Sequence, residues 1–235
     1  MEQAVWLALA LATLAGASIP LGACLAFWRP NLLPEWATTE ARHGVLAFGA
    51  GALLAVVALV LIPEGSARTP AWLALASFVA GGAGFYFVDR QIAKTGGKLG
   101  QFLAMMLDYA PEALALGALV STDLPTAVLV AILIALQNVP EAFNAMREMT
   151  AGGSRVSLWL FTAMVPIGPL FAYFGLVLPA GFDVVIGCVM MVSAGGIVYL
   201  MFQDIAPQVP LEHSGVPPLG AVLGFGLGLA GHLMI

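Results

Sequence analysis

Two short stretches decide how this chain folds, DYAPE at residues 108–112 and QNVPE at residues 137–141. Each lies in a run that is otherwise rich in Leu, Ala, Val and Met, and each places a polar residue, a proline and a glutamate at i, i+3 and i+4. On an α-helix these positions share one face, because i+4 lies only about 40° round from i. Each stretch therefore directs two oxygen-bearing side chains to the same side of its helix.

The acidic residues of these stretches need a partner inside a membrane. An ionisable side chain at the centre of a bilayer costs on the order of 2.5–3.5 kcal/mol even on the lenient insertion scale. Asp108, Glu112 and Glu141 at one depth would also repel one another, and a divalent cation is the simplest group that neutralises them. Pro111 and Pro140 each lack an N–H donor, so we predict a kink with a freed carbonyl in both helices. The paired pattern predicts a polar site between two helices.

The composition of the 235-residue chain is that of an integral membrane protein. Hydrophobic residues make up 61% of it and charged residues only 9%, unlike the composition of soluble domains. The eight Lys and Arg residues are dispersed and form no basic patch, so we do not expect nucleic-acid binding. Membrane lipid is the expected surrounding of most of the surface.

Apolar windows long enough to cross a bilayer, about 17–25 residues, recur along the chain. They predict an all-α polytopic membrane protein with eight transmembrane helices in a single domain over residues 1–235. The predicted helices are about 4–27, 44–62, 71–88, 102–120, 125–146, 157–178, 184–203 and 219–235. All basic residues except Arg68 flank loops on one side of this arrangement, so the positive-inside rule places those loops in the cytoplasm. Both termini are then expected outside the cell membrane.

The chain also contains an internal repeat. The dipeptide Ala-Gly at 50–51 precedes Pro63 by the same interval as the Ala-Gly at 194–195 precedes Pro207. These two predicted helices cross the membrane in opposite directions, as do the fourth and fifth with their Pro-Glu motifs. Inverted repeats are typical of transporters, whose substrate site lies near mid-membrane on broken helices. The sequence therefore predicts a 3+2+3 inverted-repeat arrangement.

These features resemble the ZIP (Zrt/Irt-like) family of divalent metal transporters over essentially the whole chain. In that family the fourth span carries His-Asn-x-Pro-Glu-Gly, which falls here on residues 108–113. The fifth carries a His or Gln, an acid or Asn, then x-Pro-Glu, which matches residues 137–141. The chain resembles a divergent member, because the span-4 histidine is Asp108, the neighbouring Asn is Tyr109, and a glutamate frequent in span 6 falls on Val165.

The resemblance implies a non-enzymatic protein that moves a divalent cation into the cytoplasm by alternating access. No catalytic cofactor is expected, and the transported ligand would be Zn, Fe, Mn or Cd, bound at one main site. Carboxylate in place of imidazole hardens that site and favours Mn²⁺, Fe²⁺, Mg²⁺ or Ca²⁺, although Zn²⁺ also accepts oxygen ligands. The expected ligands are Asp108, Glu112, Gln137 and Glu141, with Asn138 as either a second-site ligand or an interhelical hydrogen-bond partner.

The resemblance also implies an elevator-like slide of spans 1, 4, 5 and 6 against spans 2, 3, 7 and 8, and a homodimer. Gln203 and Asp204, near the inner end of span 7, belong either to a cytoplasmic exit path or to a solvated helix end. Two rival functions stay open, a ZIP-like metal sensor or scaffold that does not transport, and an intramembrane hydrolase. For the hydrolase the expected motifs are missing, since Asp108 and Asp204 lack them and no Ser-His pairing is evident.

Overall fold

The chain forms a bundle of helices in the computed structural model, which describes residues 2–26, 35–94, 100–150, 158–178, 181–209 and 214–235. The helices, numbered in chain order, are α1 Glu2–Leu25, α2 Glu35–Val56, α3 Ile62–Arg68, α4 Ala71–Lys94, α5 Gly100–Val120, α6 Leu124–Thr150, α7 Leu158–Thr162, α8 Ile167–Val177, α9 Asp183–Leu200 and α10 Val216–Met234. A π-helical turn, Val57–Leu61, joins α2 to α3. A second, Met201–Ile205, followed by the 3-10 turn Ala206–Gln208, extends α9.

Within the described ranges, seven helical segments are long and apolar enough to cross a membrane. They are Glu2–Leu25, Thr39–Arg68, Ala71–Gln91, Leu124–Arg147, Leu158–Val177, Asp183–Gln203 and Val216–Met234. Helix α5, 21 residues long, is not one of the seven. Large apolar side chains cover the outside of the bundle, and Trp72, Trp159 and Phe202 are each more than 70% exposed. Exposed apolar surface on this scale fits a lipid environment, and the chain is a multi-pass helical membrane protein.

The observed helices differ from the predicted spans at two prolines. The second predicted helix, 44–62, is part of a longer segment that continues to Arg68, because Pro63 lies in the first turn of α3, where a missing N–H is tolerated. The sixth, 157–178, is divided by a turn at residues 163–166. Pro166 closes that turn and immediately precedes α8. The first helix begins at Glu2 and ends at Leu25, two residues earlier than predicted at each end.

The two π-helical turns lie at corresponding places in the repeated segments. Val57–Leu61 and Met201–Ile205 each end two residues before a proline. In each case the residue before that proline, Ile62 or Ala206, donates its N–H to the carbonyl five residues back. A proline ring collides with the carbonyl four residues back in an α-helix, and a wider π turn moves that carbonyl aside. The two segments with the Ala-Gly and proline spacing thus share one backbone feature, a π-helical turn.

Glycines make the closest helix contacts, and these contacts are also repeated. The pairs α2 with α10 and α4 with α9 meet where a carbonyl oxygen of one helix occupies the place of a glycine Cβ on the other. The four contacts join Gly51 to Ala221, Gly224 to Phe48, Gly195 to Phe78, and Gly81 to Val192. Gly51 and Gly195 are the glycines of the Ala-Gly repeat. Such contacts are possible only without a side chain, as in other close-packed membrane helices.

The helices form two sets, each with its own apolar core. In one set α1 packs on α6 and α5 packs on α8, and in the other α2 packs on α10 and α4 packs on α9. Ile19, Leu116 and Phe161 belong to the core of the first set. Leu53 and Met190 belong to the core of the second. Because α6 also contacts α2 and α5 also contacts α9, the two polar stretches lie on helices that form the boundary between the sets.

Candidate functional site

The polar stretches at 108–112 and 137–141 form a buried region on two adjacent helices. Helices α5 and α6 pack against each other, so the i, i+4 faces of both motifs can turn inward together. None of the five candidate metal ligands is more than 9% exposed, and they are Asp108, Glu112, Gln137, Asn138 and Glu141. All five candidate ligands therefore lie inside the protein.

The closest polar contact in this region joins Gln137 of α6 to Glu112 of α5. The Gln137 amide nitrogen, Nε2, donates to both carboxylate oxygens of Glu112, over 2.8 Å to Oε1 and 2.7 Å to Oε2. Both residues are fully buried. The other end of the same amide, the oxygen Oε1 of Gln137, is buried without a hydrogen-bond partner among the described residues. Glu112 therefore determines the orientation of the amide.

Glu141 lies one turn from Gln137 on the same face of α6. Like Glu112 it is buried, and the two carboxylates lie on adjacent helices. Within the described part of the chain, Oε1 of Glu141 and Nδ2 of Asn138 are buried without hydrogen-bond partners. A buried polar atom without a partner costs about 1–3 kcal/mol, so native proteins keep few of them. A bound ligand that offers both charge and polar contacts would relieve this cost.

Pro111 and Pro140 lie inside α5 and α6, and both helices continue through them. The site therefore lies on continuous helices. The inverted-repeat pattern had predicted a site on broken helices, and that expectation was wrong. The carbonyls of Leu107 and Leu136 still lack their α-helical donor, because proline has no N–H. The Pro140 ring packs against Gly49 of α2, where a Cβ would lie 2.6 Å from the proline Cγ.

Tyr109 has a role that the sequence does not reveal. Its side chain is 1% exposed, and its hydroxyl donates a 3.1 Å hydrogen bond to the carbonyl of Ala12 in α1. The end of the ring lies against Gly16 of α1 and Gly168 of α8, where a Cβ on either glycine would collide with it. Tyr109 thus joins α5 to α1 and α8 directly beside Asp108.

Asn144 is a second residue that the sequence analysis missed. It is 4% exposed and follows Glu141 by three residues and Gln137 by seven, so it extends the polar face of α6 by another turn. Helical spacing was the signal that could have found it.

Of the two residues predicted for an exit path, Gln203 is exposed in the second π-helical turn, and the side chain of Asp204 lies outside the described part of the structure.

The described residues contain no group of three or more His, Cys, Asp or Glu side chains arranged to hold a metal ion. Asp108, Glu112 and Glu141 are all buried, but they do not enclose one position together, and Glu112 is engaged by Gln137. Gln137 and Glu112 are in direct contact, and Asn138 and Glu141 lie on the same helix as Gln137.

Comparison with models of protein families finds none that matches this chain, and comparison with curated proteins finds no relative. The fold and the site define the class of the protein. It is a multi-pass helical membrane protein with a buried region of carboxylate and amide side chains on two adjacent helices.

Proposed function

We propose that this protein is a transporter that carries a divalent metal cation into the cytoplasm by alternating access. The observation that carries the proposal is the burial of Glu112 and Glu141 on two adjacent helices of a membrane protein. Ionisable residues at membrane depth mark substrate or ion pathways, because their burial is too costly to persist without a use. A cation supplies the positive charge that two buried carboxylates need.

The donor atoms favour a cation that accepts oxygen ligands. Asp108, Glu112 and Glu141 offer carboxylates, and Gln137 offers its amide oxygen. Such a set suits Mn²⁺ or Fe²⁺ and is accepted by Zn²⁺ and Cd²⁺, so the proposed substrates are of the zinc, iron or manganese class. In this proposal the cation is the transported substrate, and the chain performs no enzymatic reaction.

The proposed arrangement has eight spans in the cell membrane, with α5 as the fourth and α7 with α8 as the sixth. A 3+2+3 inverted repeat is supported by the matching π-helical turns and by the repeated glycine contacts of the α2–α10 and α4–α9 pairs. Membership of the ZIP family is proposed on the paired Pro-Glu motifs within this arrangement. A homodimer with both termini outside is part of the same proposal.

The proposed motion is an elevator-like slide of one helix set against the other. Both polar stretches belong to the set of α1, α5, α6, α7 and α8, so the cation would travel with that set. At the boundary, Gly49 of α2 packs closely against Pro140 of α6, a contact that the proposed slide would have to break and re-form. A cross-link between α2 and α6 that left transport intact would contradict this motion.

The same buried carboxylates would also serve a second function, that of a metal sensor or scaffold that binds without transporting. This alternative predicts metal binding without flux, whereas a transporter shows both.

Uptake into proteoliposomes separates the two functions. Purified protein is reconstituted and offered a mixture of Zn, Fe, Mn, Cd, Co, Mg and Ca, and the metal content of the vesicles is measured by elemental mass spectrometry. Protein-free vesicles are the blank. Accumulation of one or a few metals supports transport and names the substrate. Binding to the detergent-solubilised protein without accumulation supports the sensor or scaffold, and the absence of both contradicts either function.

A further inference from the structure

Gln137 cannot donate its NH2 group to both oxygens of Glu112 and, at the same time, share one cation with that carboxylate through its own oxygen. Its Nε2 donates to both oxygens of Glu112. An amide NH2 group is a donor only and repels a cation, so the ligand atom of a glutamine is its oxygen, Oε1. The hydrogen-bonded arrangement and the cation-bound arrangement are therefore alternatives that differ by rotation of one amide group.

We propose that Gln137 takes the place of the cation on Glu112 whenever the carrier returns without cargo. Its amide NH2 then balances the carboxylate, and when a cation binds, the amide turns and presents Oε1 as a ligand. This inference rests on the proposed transport function and adds a step to it. Gln137 would be a switch between two partners of Glu112, in addition to being a ligand.

The energetic reason for such a switch lies in the return step. A carrier that releases its cation must reset with its carboxylates still at membrane depth, where an unbalanced negative charge is costly. Two hydrogen bonds to a charged acceptor offset part of this cost, since bonds of this kind are about twice as strong as neutral ones. The Gln137 amide therefore stabilises the carrier when no cation is bound.

Among the described residues, Gln137 is the side chain seen to stabilise the Glu112 carboxylate. Among the described residues, the arginine ion pairs go elsewhere, from Arg68 to Glu64 over 2.8 Å and to Asp183 over 3.8 Å. Arg147, further along α6, is exposed and lies over the ring of Phe143, 5.7 Å from its centroid. Within the described part of the chain no cationic side chain is seen to pair with Glu112, and its two hydrogen bonds there both come from Gln137.

The free end of the amide makes the rotation inexpensive. Oε1 of Gln137 has no hydrogen-bond partner among the described residues, so turning it toward a cation breaks no bond at that end. Oε1 of Glu141, one turn further on the same face of α6, is buried in the same condition. A cation that displaces the NH2 group from Glu112 would thus meet two oxygens that have no competing partner.

The switch predicts a difference between two transport assays. Net uptake requires the carrier to return without cargo in every cycle. Exchange of external metal for labelled metal inside the vesicle does not, because the carrier moves loaded in both directions. Loss of the amide donor should therefore slow net uptake more than it slows exchange at saturating metal.

The decisive variant is Gln137→Glu, which keeps an oxygen ligand but has no N–H group, so it can donate to Glu112 only after it takes up a proton. We expect it to lower net uptake about tenfold more than exchange, because only net uptake includes the return without cargo, in which a hydrogen bond to a charged group is lost. The double variant Glu112→Gln with Gln137→Glu restores one amide beside one carboxylate with the two positions exchanged. It should recover net uptake to within about threefold of the wild type. Gln91→Glu, at an exposed position of α4, is the matched control for adding an acid.

Three results would overturn the inference. One is an equal loss of net uptake and exchange in Gln137→Glu, which would mean that Gln137 acts only as a ligand. Another is unchanged net uptake in that variant. The third is a double variant no better than the single one although it exchanges metal, which also shows that it is folded. If the wild type neither accumulates nor exchanges metal, the transport proposal itself fails and this inference fails with it.

Discussion

The Tyr109 hydroxyl donates a hydrogen bond to the carbonyl of Ala12, 3.1 Å away and 97 residues earlier in the chain. The bond joins α5 to α1 immediately beside Asp108, inside the helix set that carries both polar stretches. Because Gly16 and Gly168 leave room for the phenol ring between α1 and α8, the ring fixes the distance between three helices. Tyr109 is thus a structural joint of the set that is proposed to move.

Tyr109→Phe should lower the free energy of unfolding by about 0.5–1.5 kcal/mol, the usual worth of one buried hydrogen bond. Gly168→Ala should cost more, about 1–3 kcal/mol, because its Cβ collides with the phenol and the helices must separate. Both are measured as shifts in unfolding of the detergent-solubilised protein. Tyr173→Phe, at a tyrosine that is 43% exposed on α8, is the control and should be neutral. Equal stability of both Phe variants would contradict the assigned role.

Close glycine contacts make a second prediction about stability. Gly81→Ala in α4 and Gly224→Ala in α10 should destabilise the protein by about 1–3 kcal/mol, because a carbonyl of the partner helix already occupies the place of the new methyl group. Gly84→Ala and Gly226→Ala lie on the same two helices, where no described atom comes within 4 Å of the Cβ position.

These two controls should be neutral or slightly stabilising, since alanine is the better helix former by up to about 1 kcal/mol. Unfolding of all four variants in one detergent gives the comparison. If the close-contact and open-space glycines tolerate alanine equally well, the helix pairs α2 with α10 and α4 with α9 are not packed as described.

Metal binding should weaken in acid. The proposed ligands are carboxylates, and a proton on Glu112 or Glu141 removes the charge that attracts the cation, so binding must displace protons. As the pH falls, a larger fraction of these carboxyl groups is protonated. The metal must then displace more protons, so the apparent affinity for metal falls. Metal titration of the solubilised protein at neutral and mildly acidic pH measures this, and proton release in weak buffer counts the protons directly. An affinity independent of pH, with no proton release, would contradict carboxylate ligation.

The membrane helices could be predicted from the sequence because apolar length depends on composition alone. Helix α4 begins at Ala71, as the apolar window predicts. The π-helical turns could not be predicted, because a proline after an apolar run fits a kink, a break or a wider turn equally well. Only the hydrogen bond from Ile62 to the carbonyl of Val57 distinguishes them. The division of the sixth span at residues 163–166 was missed because the whole window remains apolar.

Burial of Glu112 and Gln137 could be predicted from their helical spacing and from the cost of a charge in lipid. Their direct hydrogen bond could not, because it depends on the rotation of α5 against α6 and on the rotamer of Gln137. The anchoring of Tyr109 was hidden for a similar reason, since it depends on gaps left by glycines on two other helices. The spacing of residues along the sequence indicates which face of a helix a side chain occupies. The contacts of that side chain depend on the packing of segments that are distant in the sequence.

The most direct test of the account is the initial rate of uptake of the metal that the panel identifies, for wild type beside Glu112→Gln and Glu141→Gln. Asp123→Asn is the matched control, because Asp123 is exposed at the start of α6 and asparagine can still accept the bond from Thr126. The account predicts that both glutamine variants fall to the rate of protein-free vesicles while the control transports normally. Uptake by Glu141→Gln and Glu112→Gln at the wild-type rate would contradict the central claim that these two buried carboxylates carry the cation.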